Sequence, residues 1–277
     1  MPTTAHRGRP ASHDARIVAL LDDHLADGFP RVVVLVGGPD DAKLLAGGVA
    51  DLDTDELWAS YEHESSIVRT SQQVLGFVAG YPADHAPGAG FTYSNSNYVL
   101  AQLLLEELGG APMEEVLRRT VFDPAGTHGC SVETAATFPT TTVRGYDVGA
   151  AGELVDVTAG NDGIGLGDGG VVCDVESLAR LLPALFEGAI LGPDMLDAML
   201  DGDGSSADGS YGLGIEVEVD GEFGFTVGHD GASSGFQAVL RYAADEDVTV
   251  VRLTNSMAVD VHPDLPDERL EEWLAGR

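Results

Sequence analysis

Strand-like apolar runs stand near both ends of this chain and helical periodicity fills the middle, and no other feature restricts the fold as much. Near the start, residues 31–38 (RVVVLVGG) and 43–51 (KLLAGGVAD) are β-branched or apolar, and Pro39-Asp40-Asp41 separates them as in a hairpin. Towards the end, residues 211–219, 221–229, 236–243 and 248–255 are short runs with Gly and Asp between them, so neighbours are expected to pair antiparallel. Between these blocks apolar residues recur at helical spacing: Val74, Phe77 and Val78; then Leu100, Leu103, Leu104 and Leu108; then Leu178, Leu181, Leu182 and Leu185. A shorter helix fits residues 193–200. This order predicts an α+β fold, with one antiparallel sheet formed by both chain ends and flanked by helices.

The punctuation agrees with those elements. Ser12 is placed to cap a helix through Ile17, Leu20, Leu21 and Leu25 that Gly28 and Pro30 stop, and residues 267–277 read as a closing helix. Asp174 is placed to cap the helix over 174–188, and Pro183 to kink it. The helix ending at Gly109-Gly110 is apolar nearly all round, which predicts burial. Residues 122–168, rich in Thr, Gly and Ala, read as loops with short elements. A chain of 277 residues can bury one substantial core. We therefore expect a single domain over 1–277, with the sheet region at about 11–51 and 205–277 and a helical and loop lobe at about 52–204.

Charge narrows the partners. Asp and Glu number 46 against 14 Lys and Arg, a formal charge of −32, which speaks against nucleic acid or an anionic membrane as a partner. So acidic a chain could be disordered, but 44% hydrophobic residues in periodic segments point to a packed fold with an acidic, halophilic-type surface. Residues 1–30 hold no apolar run long enough for a signal peptide or a membrane span, so a soluble cytoplasmic protein is expected. Cys130 and Cys173 could form at most one bridge, have no CxxC or His-spaced neighbour, and read as ordinary small buried or loop residues. No metal and no cofactor is expected.

Two short motifs can carry chemistry. In Tyr93-Ser94-Asn95, a phenol and an amide two residues apart on a bend can both face a cleft, one moving a proton and the other holding a carbonyl. Taken alone, the same residues also fit a tyrosine packed on the core and an Asn capping the next helix. In His229-Asp230-Gly231-Ala232, placed at the end of a predicted strand, glycine lets a ligand approach and the backbone can offer N–H groups to an oxyanion. Taken alone, that is a histidine in a turn.

Their surroundings link them. The segment PGAGFTYSNSNYVLAQLLLEELGG (87–110) resembles a segment of the serine β-lactamase and DD-peptidase family. So do Phe122-Asp123-Pro124, the glycine-rich stretch 167–171, Tyr211-Gly212-Leu213-Gly214, Gly228-His229-Asp230-Gly231 with Gly235-Phe236, and Thr254-Asn255-Ser256, all in family order. The pairing of YSN with HxG is most similar to the actinomycete DD-carboxypeptidases. The resemblance implies that Tyr93 relays protons, that Asn95, beside Ser94, binds the substrate amide, and that His229 and Gly231 form the KTG-type strand. It also implies that the N–H of Ala232 is an oxyanion donor, and that the ligand is a small peptide-like, ester or β-lactam molecule.

One family part is missing. The nucleophile motif SxxK sets a serine beside a lysine that can accept its proton, yet Lys43 is the only lysine here and stands in the predicted hairpin. In the family, the strand ending in GVAD leads into the SxxK helix. Here Asp51 is followed within a dozen residues by His63-Glu64-Ser65-Ser66, which is similar to a later family loop, and this implies an internal deletion and a truncated helical lobe. The nearest substitute is Ser66 with Arg69, and arginine stays protonated and is a poor base. Loss of that helix would uncover apolar residues on 98–105, which allows repacking or a homodimer. The expected function is therefore a serine-hydrolase-family scaffold for amide or ester acyl transfer with impaired catalysis. The alternative is a non-catalytic protein that binds a peptide-like ligand or a protein partner.

Overall fold

The computed structural model describes residues 31–37, 43–48, 70–79, 81–83, 85–86, 89–132, 143–149, 151–158, 165–201, 204–206, 209–221, 224–233 and 235–258. The helices expected over 12–28 and 267–277, and Ser66 with Arg69, lie outside the described residues. Strands β1 (Arg31–Gly37) and β2 (Lys43–Gly48) pair antiparallel, as the hairpin pattern requires. Helix α1 (Ser71–Val78) begins at a capping box, where Thr70 Oγ1 accepts from Gln73 N and Gln73 Oε1 accepts from Thr70 N. Helix α2 (Asn95–Gly109) ends at Gly110, whose φ of 65° suits glycine at a left-handed cap. Then α3 (Met113–Leu117), a π turn (Arg118–Phe122) and α4 (Asp123–Ala125) follow without a break.

Short strands β3 (Cys130–Val132), β4 (Tyr146–Val148), β5 (Leu154–Asp156) and β6 (Val171–Cys173) occupy the loop-rich region. Helices α5 (Val175–Phe186) and α6 (Pro193–Leu200) come next, and Asp174 caps α5 by accepting from Ser177 N at 2.7 Å. The chain returns to the sheet as β7 (Gly204–Ser206), β8 (Gly209–Tyr211), β9 (Glu216–Gly221), β10 (Gly224–Ser233), β11 (Phe236–Ala243) and β12 (Val248–Thr254). Among the described residues these form an eight-stranded sheet in the order β2-β1-β12-β11-β10-β9-β8-β7. The hairpin from the start thus docks antiparallel on β12 near the end, and one sheet is completed from both sides. Val175, Leu182 and Leu185 of α5 pack on Ile215, Val217, Val227, Leu240, Tyr242 and Val251 of the sheet, each such side chain contributing roughly 1.5–3 kcal/mol on burial.

Four expectations are corrected. The apolar helix α2 is not buried: of its residues only Val99 and Gln102 are, while Leu100, Leu104 and Leu108 are 49%, 56% and 88% exposed. Cys130 and Cys173 face each other across β3 and β6 and form a disulfide, so they are not unpaired packing residues. The strand expected over 211–219 is broken after Tyr211. Leu213 N donates to Met199 O at the end of α6, and Gly212 N bonds Ile215 O around Gly214 at φ 79°, so the chain turns before β9. Finally, His229 and Asp230 are not at a strand end, because β10 continues to Ser233.

Candidate active site

Rings from three elements meet beside β10. Tyr98 of α2, Tyr211 at the end of β8 and His229 of β10 form a row in which Tyr98 OH lies 3.1 Å from Tyr211 OH, and Tyr211 OH lies 2.8 Å from His229 Nε2. At the far side of the imidazole, Nδ1 lies 2.5 Å from the backbone oxygen of Asp230. Tyr93 closes over the row, edge-on to Tyr211 with centroids 5.7 Å apart and 6.2 Å from the His229 ring. Phe91 stacks at a tilt on Tyr211 at 5.4 Å. Such pairs each contribute about 0.5–1.5 kcal/mol beyond area burial, enough to hold the segment preceding α2 against the sheet.

An ion-pair group lies behind the rings. Arg241 Nη2 bonds Glu216 Oε2 at 2.8 Å and Nη1 lies 2.8 Å from Asp230 Oδ1, so one guanidinium serves carboxylates from β9 and β10. Burial pushes the Glu216 carboxyl above the ordinary carboxylate range, with Asp230 adding to this and Arg241 opposing it. Burial also raises the Tyr93 phenol, helped by Tyr98, Glu216 and Asp168. Burial raises Tyr211 further. Both phenols therefore keep their protons at neutral pH.

The backbone of β10 is half open here. β9 pairs with it only between Gly224 and Gly228, whereas β11 pairs with it as far as Ser233. Along His229–Ser233, one side of β10 has no strand partner among the described residues, which leaves backbone groups available there. Gly231 and Ala232 are exposed on this stretch, and a Cβ at Gly231 would meet only Ala238 Cβ at 3.9 Å. Internal packing does not demand that glycine.

Of the residues singled out in the sequence, Tyr93 and His229 come together. Ser94 holds the cap position of α2 without a side-chain cap bond, and Asn95 is the exposed first residue of the helix, so it is not the cap. Lys43 stands on β2 at the sheet edge, with β1, β12 and β11 between it and β10. Four strand spacings amount to roughly 19 Å. Tyr98, Tyr211, Glu216 and Arg241 were not singled out as site residues. The one available signal was an arginine inside the apolar strand 236–243, which needs a buried partner. Among the described residues no group of three or more His, Cys, Asp or Glu is placed to hold a metal ion, and no helix is long and apolar enough to cross a membrane.

A family model described as Beta-lactamase matches residues 37–272. A D-aminopeptidase of Cereibacter sphaeroides is 25% identical over 202 residues, covering 68% of this chain and 36% of that protein. A D-aminopeptidase of Brucella anthropi is 27% identical over 187 residues, covering 61% and 32%. The chain spans about a third of the length of the curated relatives it matches. Among solved structures, the D-amino acid amidase from Ochrobactrum anthropi SV3 complexed with L-phenylalanine superposes with a TM-score of 0.78 at 22% identity, covering 96% of this chain and 98% of that chain. At that identity the likeness speaks for the fold.

Proposed function

Since this chain belongs to the beta-lactamase family of serine hydrolases, we propose that it keeps the family's cleft for a small peptide-like amide, ester or β-lactam while its acyl-transfer chemistry is impaired. The observation that carries this reading is the position of Lys43. A serine attacks a carbonyl only when a neighbouring base takes its proton, and the only lysine in the chain stands on β2, four strand spacings or roughly 19 Å along the sheet from β10.

Among the described residues no other group near the cleft substitutes readily. Tyr93 keeps its proton, raised first by burial, so it can donate to a leaving group but is a reluctant acceptor. His229 has both ring nitrogens engaged, by Tyr211 and by the Asp230 carbonyl. In sequence Ser66 is followed three residues later by Arg69, a cation that does not deprotonate. In this reading Tyr93, Asn95 and Ser94 line one side of the cleft, and His229, Gly231 and Ala232 offer the open backbone of β10 for a substrate carbonyl.

The cleft favours neutral or amino-bearing ligands over ones with a free carboxylate. The cation beside it, Arg241, already serves Glu216 and Asp230. The names of the matched relatives, D-aminopeptidases and a D-amino acid amidase, fit that preference. Treatment with a fluorescent penicillin, or with an activated D-amino acid ester that carries no carboxylate, is expected to leave no stable label. Labelling that disappears in Ser66→Ala would show a working nucleophile and overturn the reading. A D-amino acid amide is expected to bind with Kd below about 1 mM without turnover.

Leu100, Leu104 and Leu108, exposed at four-residue spacing on α2, also support a homodimer through this face. Sedimentation of the wild type and of Leu104→Glu tests it, with a monomeric wild type counting against it.

A further inference from the structure

We infer that Tyr211, backed by Tyr98, is a positioning residue that holds the ring of His229 by donating to a bare Nε2, the Asp230 carbonyl fixing the tautomer with its proton on Nδ1. This rests on the reading that His229 belongs to the ligand cleft. It follows from which groups can donate. The Asp230 carbonyl oxygen, 2.5 Å from Nδ1, can only accept, so Nδ1 carries the hydrogen of the neutral ring. Nε2 is then an acceptor, and the Tyr211 hydroxyl at 2.8 Å has to donate to it. Having spent its one proton, Tyr211 accepts from Tyr98 at 3.1 Å. A single carbonyl thereby sets the direction of three hydrogen bonds across α2, β8 and β10.

The surrounding structure holds each member in place. Tyr211 is 8% exposed and is gripped by Phe91 and Tyr93. Tyr98 lies against Gly214, where a Cβ would stand 3.4 Å from the phenol oxygen, and the φ of 79° there favours glycine. Asp230, whose carbonyl anchors the row, is tied through its carboxylate to Arg241. The functional consequence is that the cleft meets its ligand with a defined imidazole: a doubly protonated ring would need Tyr211 to stop donating to Nε2 and accept from it instead.

The test is the ring-nitrogen spectrum of 15N-histidine-labelled protein above the imidazole titration, with His229 assigned by its loss in His229→Gln. The wild type is expected to show a protonated Nδ1 and a bare Nε2. Tyr211→Phe keeps the ring contacts but removes the donor to Nε2, so the Nε2 shift is expected to move toward that of an unbonded acceptor while Nδ1 keeps its proton. Tyr98→Phe leaves Tyr211 free to donate and is expected to retain the pattern. A proton on Nε2 in the wild type, or an Nε2 shift unchanged in Tyr211→Phe, overturns the proposal. The wild-type spectrum decides it even if Tyr211→Phe fails to fold. Absence of D-amino acid amide binding in the wild type would sink the functional reading and leave the tautomer result standing.

Discussion

Ser71, the first residue of one helix, donates its hydroxyl at 3.0 Å to the side-chain oxygen of Gln102, buried in the middle of the next helix. The same oxygen accepts from Gly167 N at 2.9 Å, and the amide nitrogen of Gln102 donates to Gly165 O and to Glu106 Oε1. This one amide therefore fastens α1, α2 and the glycine-rich loop together, one turn along the helix from Tyr98. Replacing it by leucine would leave a hydroxyl, an amide N–H and a carbonyl without partners. Gln102→Leu is expected to lower stability by about 3 kcal/mol or more, read as a reduced urea midpoint with an unchanged slope.

The disulfide makes a prediction about source as well as stability. Bridges of this kind persist in oxidising compartments and are rare in a reducing cytosol, so the bridge and the expectation of a cytoplasmic protein point in opposite directions. Protein purified without reductant and titrated for thiols after unfolding is expected to show none. Cys130→Ser with Cys173→Ser is expected to cost about 2–4 kcal/mol, since the bridge closes a loop across a separation of 43 residues. Thiol reductant should bring the wild type to the level of the double variant.

Alkaline pH should weaken the sheet through Tyr242. Its phenol, 6% exposed and donating to Asp247 at 3.1 Å, is pushed up to about 12 by burial and then by that bond. The unfolded chain ionises this tyrosine near its ordinary value of 10.0, while the folded protein still holds the proton. The folded state then binds more protons, so stability is fully present below pH 10 and declines as pH rises towards 12. Between pH 10 and 11 the loss from this group approaches about 1 kcal/mol. Tyr242→Phe is expected to flatten that part of the curve in chemical denaturation, and an unaltered slope would contradict the assignment.

The outer leucines of α2 should be dispensable for the monomer. Leu108 is 88% exposed, so Leu108→Gln is expected to change stability by less than about 0.5 kcal/mol, whereas Val99→Ala, at a fully buried position, should cost about 1–2 kcal/mol or more. Thermal melts of the two variants measure the contrast. The contrast applies to melts run at a dilution where sedimentation shows monomer; a Leu108→Gln loss that grows with protein concentration is what the proposed homodimer requires.

The ease with which parts of this fold could be read from sequence follows from how local their causes are. Helix α6 and strands β11 and β12 lie where periodicity, Pro193 and the flanking glycines and aspartates put them, and Asp174 caps α5 as its side chain allows. The burial of α2 was misjudged because periodicity reports which faces are apolar, not which face has a partner. In this helix the buried polar residue is Gln102, and the leucines at 100, 104 and 108 face outward. The break after Tyr211 depends on a hydrogen bond from Leu213 to Met199, which no strand propensity encodes. Tyr93 and His229 could be read as motif members, but Tyr98 and Tyr211 are 113 residues apart and meet only because α2 and β8 are brought together.

The pairing of β1 with β12 has a consequence for how the molecule comes into being. A nascent chain makes the hairpin of β1 and β2 long before the strand that will seat it exists, so one flank of that hairpin stays unsatisfied until β12 has been made. β12 is the seam of the finished sheet, and trimming the tail through it would split the sheet in two rather than shorten it.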